Sequence, residues 1–190
     1  MITIIATKIT NFIQADSNYR NIDRVVYLYG IYQGLVILIN MTTIIIIGLV
    51  LGAIIYVLTF TVAYTFLRLF AGGYHASTLV RCYLATISMV VLVASLSLNV
   101  HLSEWAIAVL LIVVGASIIL LSPVDSANKR LDELEKMVYK RRTTKICLFE
   151  VVIAIAVLPF GLRFVSVGIF WALVVVLLLL VLELLKGTKK

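Results

Sequence analysis

Residues 25–67 contain no charged side chain, and this run constrains the fold more than any other feature of the sequence. Four more blocks with little or no charge follow at 83–100, 105–121, 147–160 and 164–185. The chain is 63% hydrophobic and 13% charged, whereas ordinary soluble domains are about 25% charged. Because a soluble fold of this size cannot bury so much apolar surface, we predict an integral membrane protein.

The first block is too long for one membrane-spanning helix of about 20 residues and short for two. The positions of Lys and Arg decide between these choices, since cytoplasmic segments are rich in both. The basic clusters share one side only if residues 25–67 cross twice, as two helices of about 17 residues with a turn at "GLVLG", 48–52. We therefore predict an all-α, polytopic helical bundle with six transmembrane helices and cytoplasmic termini. Five helices, the first of them single and tilted, is the alternative.

We interpret residues 1–190 as one membrane domain that begins with an amphipathic segment at 1–24. Ile2, Ile5 and Ile9 recur there at helical spacing, which predicts a helix on the membrane surface or packed on the bundle.

The long polar stretch at 122–146 predicts a cytoplasmic loop with a short surface helix. It is either solvated beside lipid headgroups or an electrostatic dock for a negatively charged partner.

The net charge of +7 does not require a nucleic-acid partner. The basic residues lie between apolar runs, where the positive-inside rule and anionic lipid headgroups explain them. Two cysteines 65 positions apart give no zinc spacing. We expect membrane lipids as partners, and no nucleic acid, metal or cofactor.

The segment "RLFAGGYHASTLVRC", residues 68–82, gathers groups that can carry chemistry. A cysteine becomes a strong nucleophile as its thiolate, which a nearby histidine or a helix N-terminus favours. Gly72 and Gly73 loosen the chain, and Ser77 or Thr78 can cap a new helix. Cys82 then lies in a first helical turn, and His75 precedes that helix in a bent segment from which it can reach the sulfur.

This segment resembles the signature of the accessory gene regulator B (AgrB) family. The resemblance rests on Arg68, the glycine pair, His75-Ala76 and Cys82 seven residues later, and it extends to "SPVDSANKR" and to the order of the apolar blocks. Members of the family are membrane cysteine endopeptidases that process quorum-sensing peptide precursors in bacteria.

The resemblance implies that Cys82 and His75 form a catalytic dyad. The dyad would cut an AgrD-type precursor near its C-terminus and promote closure of a thiolactone or lactone ring. It also implies a location in the bacterial cell membrane and makes a homodimer plausible, for which Gly168 and Ala172 are spaced as in close helix contacts.

Four basic residues are candidates to bind the precursor. Arg68 and Arg81 either bind carboxylates of its tail or anchor helix ends. Lys129 and Arg130 are the candidates in the polar loop.

Two other functions remain open. One is a small peptide transporter or export channel, based on Gly48, Gly52 and Gly115. The other is a membrane scaffold that recruits a partner through its polar loop.

Three further residues have structural interpretations. We expect His101 to be a solvated interfacial residue and Cys147 a small buried hydrophobic residue. We expect Glu150 to pair with a basic group or to extend toward the interface.

Overall fold

The computed structural model describes residues 2–15, 23–73, 78–124 and 132–187. Within these ranges the chain forms seven α-helices and no strand. A short 3-10 helix, Leu158–Phe160, precedes the last of them. The α-helices are α1 (Ile2–Gln14), α2 (Arg24–Val50), α3 (Ile54–Ala71), α4 (Leu79–Asn99), α5 (Glu104–Leu121), α6 (Glu133–Ala156) and α7 (Arg163–Gly187).

Helices α2 to α7 are each long and apolar enough to cross a membrane. The chain is therefore a multi-pass membrane protein. This confirms six transmembrane helices and removes the five-helix alternative. The short helix α1 precedes them, as predicted, whereas its place on a membrane surface and the cytoplasmic side of the termini stay predictions.

The described residues form two compact units, 1–46 and 47–190. In the first unit the Arg24 guanidinium donates to Asn11 Oδ1 at 2.8 Å, which ties the start of α2 to α1. Asp23 Oδ1 accepts the Val25 N–H at 2.9 Å and so satisfies an amide at the start of α2. Many apolar side chains of α2 are exposed in this unit, as suits a helix that faces lipid.

The predicted turn near 48–52 lies at residues 51–53, between α2 and α3. Gly52 has φ +65°, and the Ala53 N–H donates to Gly48 O at 2.8 Å. Gly48 also lets the chain approach Ile54 closely, since a Cβ at Gly48 would lie 3.0 Å from the Ile54 side chain. The expected lengths are partly wrong: α3 has 18 residues but α2 has 27, because nothing interrupts it before residue 51.

Helix α7 is the best-buried helix of the second unit and packs against α3, α4, α5 and α6. Gly168 lets α7 approach α3 closely, because a Cβ there would overlap Thr59 Oγ1 and lie 3.1 Å from the Phe60 nitrogen. Ala172 is buried as well. Both small residues thus serve contacts within the chain and give no support to a homodimer.

The segment 122–146 differs from its predicted form. Asp132 and Glu135 form a capping box at the start of α6. The helix then continues without a break past residue 146, because it contains neither Pro nor Gly. The expected surface helix and the apolar span after it are therefore two halves of one helix.

Candidate active site

Cys82 lies in the first turn of α4, as its sequence context predicts. Thr78 caps this helix: its Oγ1 accepts the Arg81 N–H at 3.3 Å, and its carbonyl accepts the Cys82 N–H at 3.0 Å. Thr78, one of the two predicted caps, thus fills the capping position; Ser77 lies outside the described residues. The Cys82 thiol is exposed. A thiolate there faces the positive end of the α4 dipole.

The two glycines adopt backbone conformations that residues with a side chain rarely take. Gly72 has φ +77° and Gly73 has φ +101°. Gly72 pairs with Val124 in a parallel bridge, in which the Val124 N–H donates to Ala71 O at 3.1 Å and the Gly73 N–H to Val124 O at 3.4 Å. A Cβ at Gly72 would overlap the Val124 carbonyl oxygen. The two glycines were predicted to loosen the chain. In the structure they instead form a turn that is hydrogen-bonded to Val124 and that only glycine can adopt.

Gly73 is held by two other helices as well. The Arg68 guanidinium in α3 donates to Gly73 O at 3.1 Å. A Cβ at Gly73 would lie 3.0 Å from the Leu179 carbonyl oxygen in α7. The chain is thus hydrogen-bonded to α3 and to the residues after α5, and it lies close to α7, two positions before His75.

Tyr64 is a residue of this region that the sequence pattern did not single out. It lies one turn before Arg68 on α3, with its hydroxyl near the Arg68 side chain. It also lies within electrostatic range of Cys82. The four-residue spacing to Arg68 is the only signal in the sequence that could have indicated it.

The first half of α6 packs on the end of α3 beside this region. Tyr139 meets the Phe70 ring edge to face, with ring centroids 5.8 Å apart. The Arg142 guanidinium lies over the same ring, 5.1 Å from its centroid. These contacts bring the polar half of α6 next to the 68–73 segment.

The chain matches a known protein-family model over most of its length. The model described as "Accessory gene regulator B" matches residues 6–184. The chain belongs to this AgrB family. Membership places it in the accessory gene regulator system, and the matched region includes the whole 68–82 segment. No match was found among curated proteins or among solved structures.

Several of the AgrB-type site residues lie outside the described ranges. His75 and Ser77 fall in 74–77, and Lys129 and Arg130 fall in 125–131. The contact between His75 and Cys82 therefore stays a prediction. Arg81 is exposed beside Cys82, whereas Arg68 is half-buried.

The expectation for Cys147 is confirmed, and the one for Glu150 is wrong. His101 is exposed between α4 and α5 as expected, whereas its place at a membrane interface stays a prediction. Cys147 is buried, and its Sγ lies 3.6 Å from the Gly115 carbonyl oxygen. Glu150 is buried, and its Oε2 has no hydrogen-bond partner among the described residues. It lines an apolar groove of about 550 Å³ between α3, α6 and α7 that includes none of the described residues of 68–82.

The part of the chain that the structure describes contains no cluster of three or more His, Cys, Asp or Glu side chains placed to hold a metal ion. The same part of the chain brings together an exposed thiol at a helix start, a hydrogen-bonded glycine turn and a half-buried tyrosine and arginine. Such an arrangement suits nucleophilic chemistry at Cys82.

Proposed function

We propose that this AgrB-family protein is a membrane cysteine endopeptidase that removes the C-terminal tail of an AgrD-type precursor peptide and promotes ring closure. The observation that carries the proposal is the exposed Cys82 thiol in the first turn of α4, directly after the turn at Gly72 and Gly73. The accessory gene regulator system supplies the substrate class.

In the first step, His75 takes the proton of the Cys82 thiol and the sulfur attacks the carbonyl carbon of the scissile peptide bond. The C–N bond then breaks, and the imidazolium gives its proton to the leaving amine. The precursor is left as a thioester on Cys82, and its tail departs with a new amino terminus.

Helix α4 supplies the donors that stabilise the oxyanion of this step. The first amides of a helix have no acceptor inside it. The Arg81 amide donates to Thr78 Oγ1, so the amides of Leu79 and Val80 are the remaining candidates. Preorganised backbone donors of this kind are worth a large share of the rate enhancement.

In the second step, a cysteine or serine side chain of the bound peptide attacks the thioester carbonyl. A thiolactone or lactone ring forms, the bond to Cys82 breaks, and its thiol is regained. Effective molarities of about 10⁵–10⁸ M for well-oriented intramolecular attack explain why ring closure outruns hydrolysis.

Basic side chains bind the acidic tail in this proposal, with Arg81, Lys129 and Arg130 as the candidates. Arg68 is a fourth candidate, and its guanidinium also donates to Gly73 O. The protein lies in the bacterial cell membrane with both termini in the cytoplasm, where the positive-inside rule puts its basic segments.

The experiment uses the two cysteines and the two histidines as matched pairs. A candidate precursor is incubated with the full chain in liposomes and analysed by mass spectrometry. Cys82→Ala and His75→Ala abolish cleavage, whereas Cys147→Ala and His101→Ala keep it, because Cys147 is buried in the bundle and His101 lies on an exposed turn. The cyclic product is lighter by one water than the linear fragment.

Cleavage by the Cys82→Ala protein would overturn the proposal. A linear fragment as the sole product of the wild-type protein would support the peptidase and remove the ring-closing activity. Loss of cleavage in Cys147→Ala as well as in Cys82→Ala would point to a general loss of structure, which circular dichroism detects.

The three glycines on which the export-channel alternative is based have roles in turns and helix packing. Gly48 and Gly52 form the turn between α2 and α3, and Gly115 lets α5 and α6 approach closely at Val151. No described feature favours transport over catalysis at Cys82.

A further inference from the structure

Glu150 is a buried carboxyl group in the apolar part of α6. The residue is 6% exposed, and its Oε2 atom accepts no hydrogen bond from any described residue. Lys145, the nearest lysine along α6, precedes it by five positions and lies on another side of the helix. An unpaired carboxylate is strongly unfavourable in hydrocarbon, so a carboxyl group inside a membrane either finds a partner or marks a site.

The two polar groups closest to the carboxyl bind backbone carbonyls instead. Thr59 Oγ1 donates to Ile55 O at 2.8 Å. The Cys147 sulfur, one turn before Glu150 on the same helix, lies 3.6 Å from Gly115 O. Neither group therefore supplies the missing donor, and the free lone pairs of Oε2 are available to a ligand.

The surroundings of Glu150 define the rest of such a ligand. The carboxyl lines the groove of about 550 Å³ between α3, α6 and α7, a volume within the range of small-molecule sites. Nine of the eleven lining residues are aliphatic or aromatic, and Thr59 and Glu150 are the other two. A ligand that fills the groove must therefore be apolar over most of its length.

The groove opens on the lipid-facing side of the helices and lies deep in the membrane-spanning part. Val62, Phe66 and Phe149 form its rim, and all three are exposed. The lining residues of α3 fall within 58–66, the middle of a helix that runs from Ile54 to Ala71. Lipid headgroups lie near the ends of such a helix, so a ligand that reaches the carboxyl cannot carry a phosphate beside its donor.

We propose that this groove binds a single-chain apolar amine, whose ammonium group donates to Glu150 Oε2 and whose chain lies along α3. Charge complementarity decides for an ammonium group, because the pair with a carboxylate is neutral as a whole and satisfies the unpartnered oxygen. The site goes beyond the proposed peptidase activity and does not depend on Cys82.

The test measures the binding of three probes to the full chain by native mass spectrometry from detergent micelles. The probes share a dodecyl chain and differ in the headgroup. Dodecylammonium has charge and hydrogen-bond donors, dodecyltrimethylammonium has charge alone, and dodecanol has a donor alone. We compare the wild-type protein with Glu150→Gln, which keeps the size of the side chain, and with Val62→Trp, which fills the groove from its exposed rim. Val152→Trp is the matched control, since Val152 is an exposed valine of α6 that does not line the groove.

We expect dodecylammonium to bind the wild-type protein more tightly than either other probe. Glu150→Gln raises its Kd by about 10- to 150-fold, the effect of losing a hydrogen bond to a charged group. Val62→Trp also weakens binding, whereas Val152→Trp and Cys82→Ala bind as the wild-type protein does.

Three results would overturn the proposal. An equal Kd in wild-type and Glu150→Gln protein would mean that the chain only partitions into apolar surface. Dodecanol binding as tight as dodecylammonium would refute the role of charge, and an equal loss in Val152→Trp would refute the location. Val62→Trp tests the groove without a change of the carboxyl, so the outcome does not depend on the folding of one variant. Because Cys82 takes no part, failure of the cleavage assay and failure of this binding assay are separate results.

Discussion

A methyl group at Gly72 tests how firmly the turn before the thiol is held. Gly72 has φ +77° and ψ −153°, a region that is essentially restricted to glycine and costs other residues about 1–3 kcal/mol. In Gly72→Ala the new Cβ also overlaps the Val124 carbonyl oxygen and lies 3.2 Å from the Val124 nitrogen. The bridge to Val124 therefore cannot persist unchanged.

The least costly relief is for Gly72 and Gly73 to move away from Val124. This movement breaks the hydrogen bonds from Val124 N–H to Ala71 O and from Gly73 N–H to Val124 O. At about 0.5–1.5 kcal/mol each, the docked turn loses about 1–3 kcal/mol, which shifts the balance toward the undocked form by about 5- to 150-fold. The hydrogen bonds within the helices are not affected by this substitution.

Hydrogen exchange by mass spectrometry in lipid nanodiscs measures the shift. We expect the protection of the Gly73 and Val124 amides to fall by about 5- to 150-fold in Gly72→Ala, with cleavage of the precursor falling in parallel. Gly161→Ala is the matched control: its φ is also positive, at +73°, but nothing lies within 4 Å of the added Cβ. Wild-type protection of both amides in Gly72→Ala, or an equal loss in Gly161→Ala, would refute the reasoning.

Two further substitutions have measurable outcomes. Thr78→Ala removes the α4 cap at a cost of about 0.5–2 kcal/mol and slows Cys82-dependent cleavage, whereas Ser103→Ala, which removes the equivalent cap of α5, leaves the rate unchanged; equal rates in both variants would contradict a role for the α4 start. Gly168→Ala forces α7 away from α3 and costs about 1–3 kcal/mol, seen as a lower midpoint of thermal unfolding in detergent. Gly30→Ala, with open space around its Cβ, lowers it little or not at all, and an equal loss in both would contradict the packing argument.

Much of the fold could be predicted from local signals in the sequence. The turn at 51–53 follows from the length of the uncharged run and its glycines, and the start of α4 follows from a capping residue near Cys82. These features depend on neighbours within a few positions, where side-chain chemistry and chain geometry are directly linked.

Contacts between distant residues could not be predicted in this way. Nothing around Val124 indicates that its backbone pairs with Gly72, and nothing around Lys140 indicates that its ammonium caps α5. The pairing of Tyr64 with Arg68 has only helical spacing to suggest it. The polar half of α6 was predicted as a separate surface helix, because charge predicts exposure to water and says little about where a helix ends.

The continuity of α6 has a consequence for the lipid around the protein. Its apolar part, residues 146–156, is about 17 Å long, and the 3-10 helix after it extends the apolar run to residue 160, whereas the hydrocarbon core of a typical bilayer is about 30 Å thick. Lys145 and its basic neighbours at one end oppose deeper insertion. The surrounding bilayer must therefore thin, or the basic side chains must reach outward. The hydrophobic thickness of the host membrane thus affects the position of the α6 start and of the Lys140 ammonium that caps α5.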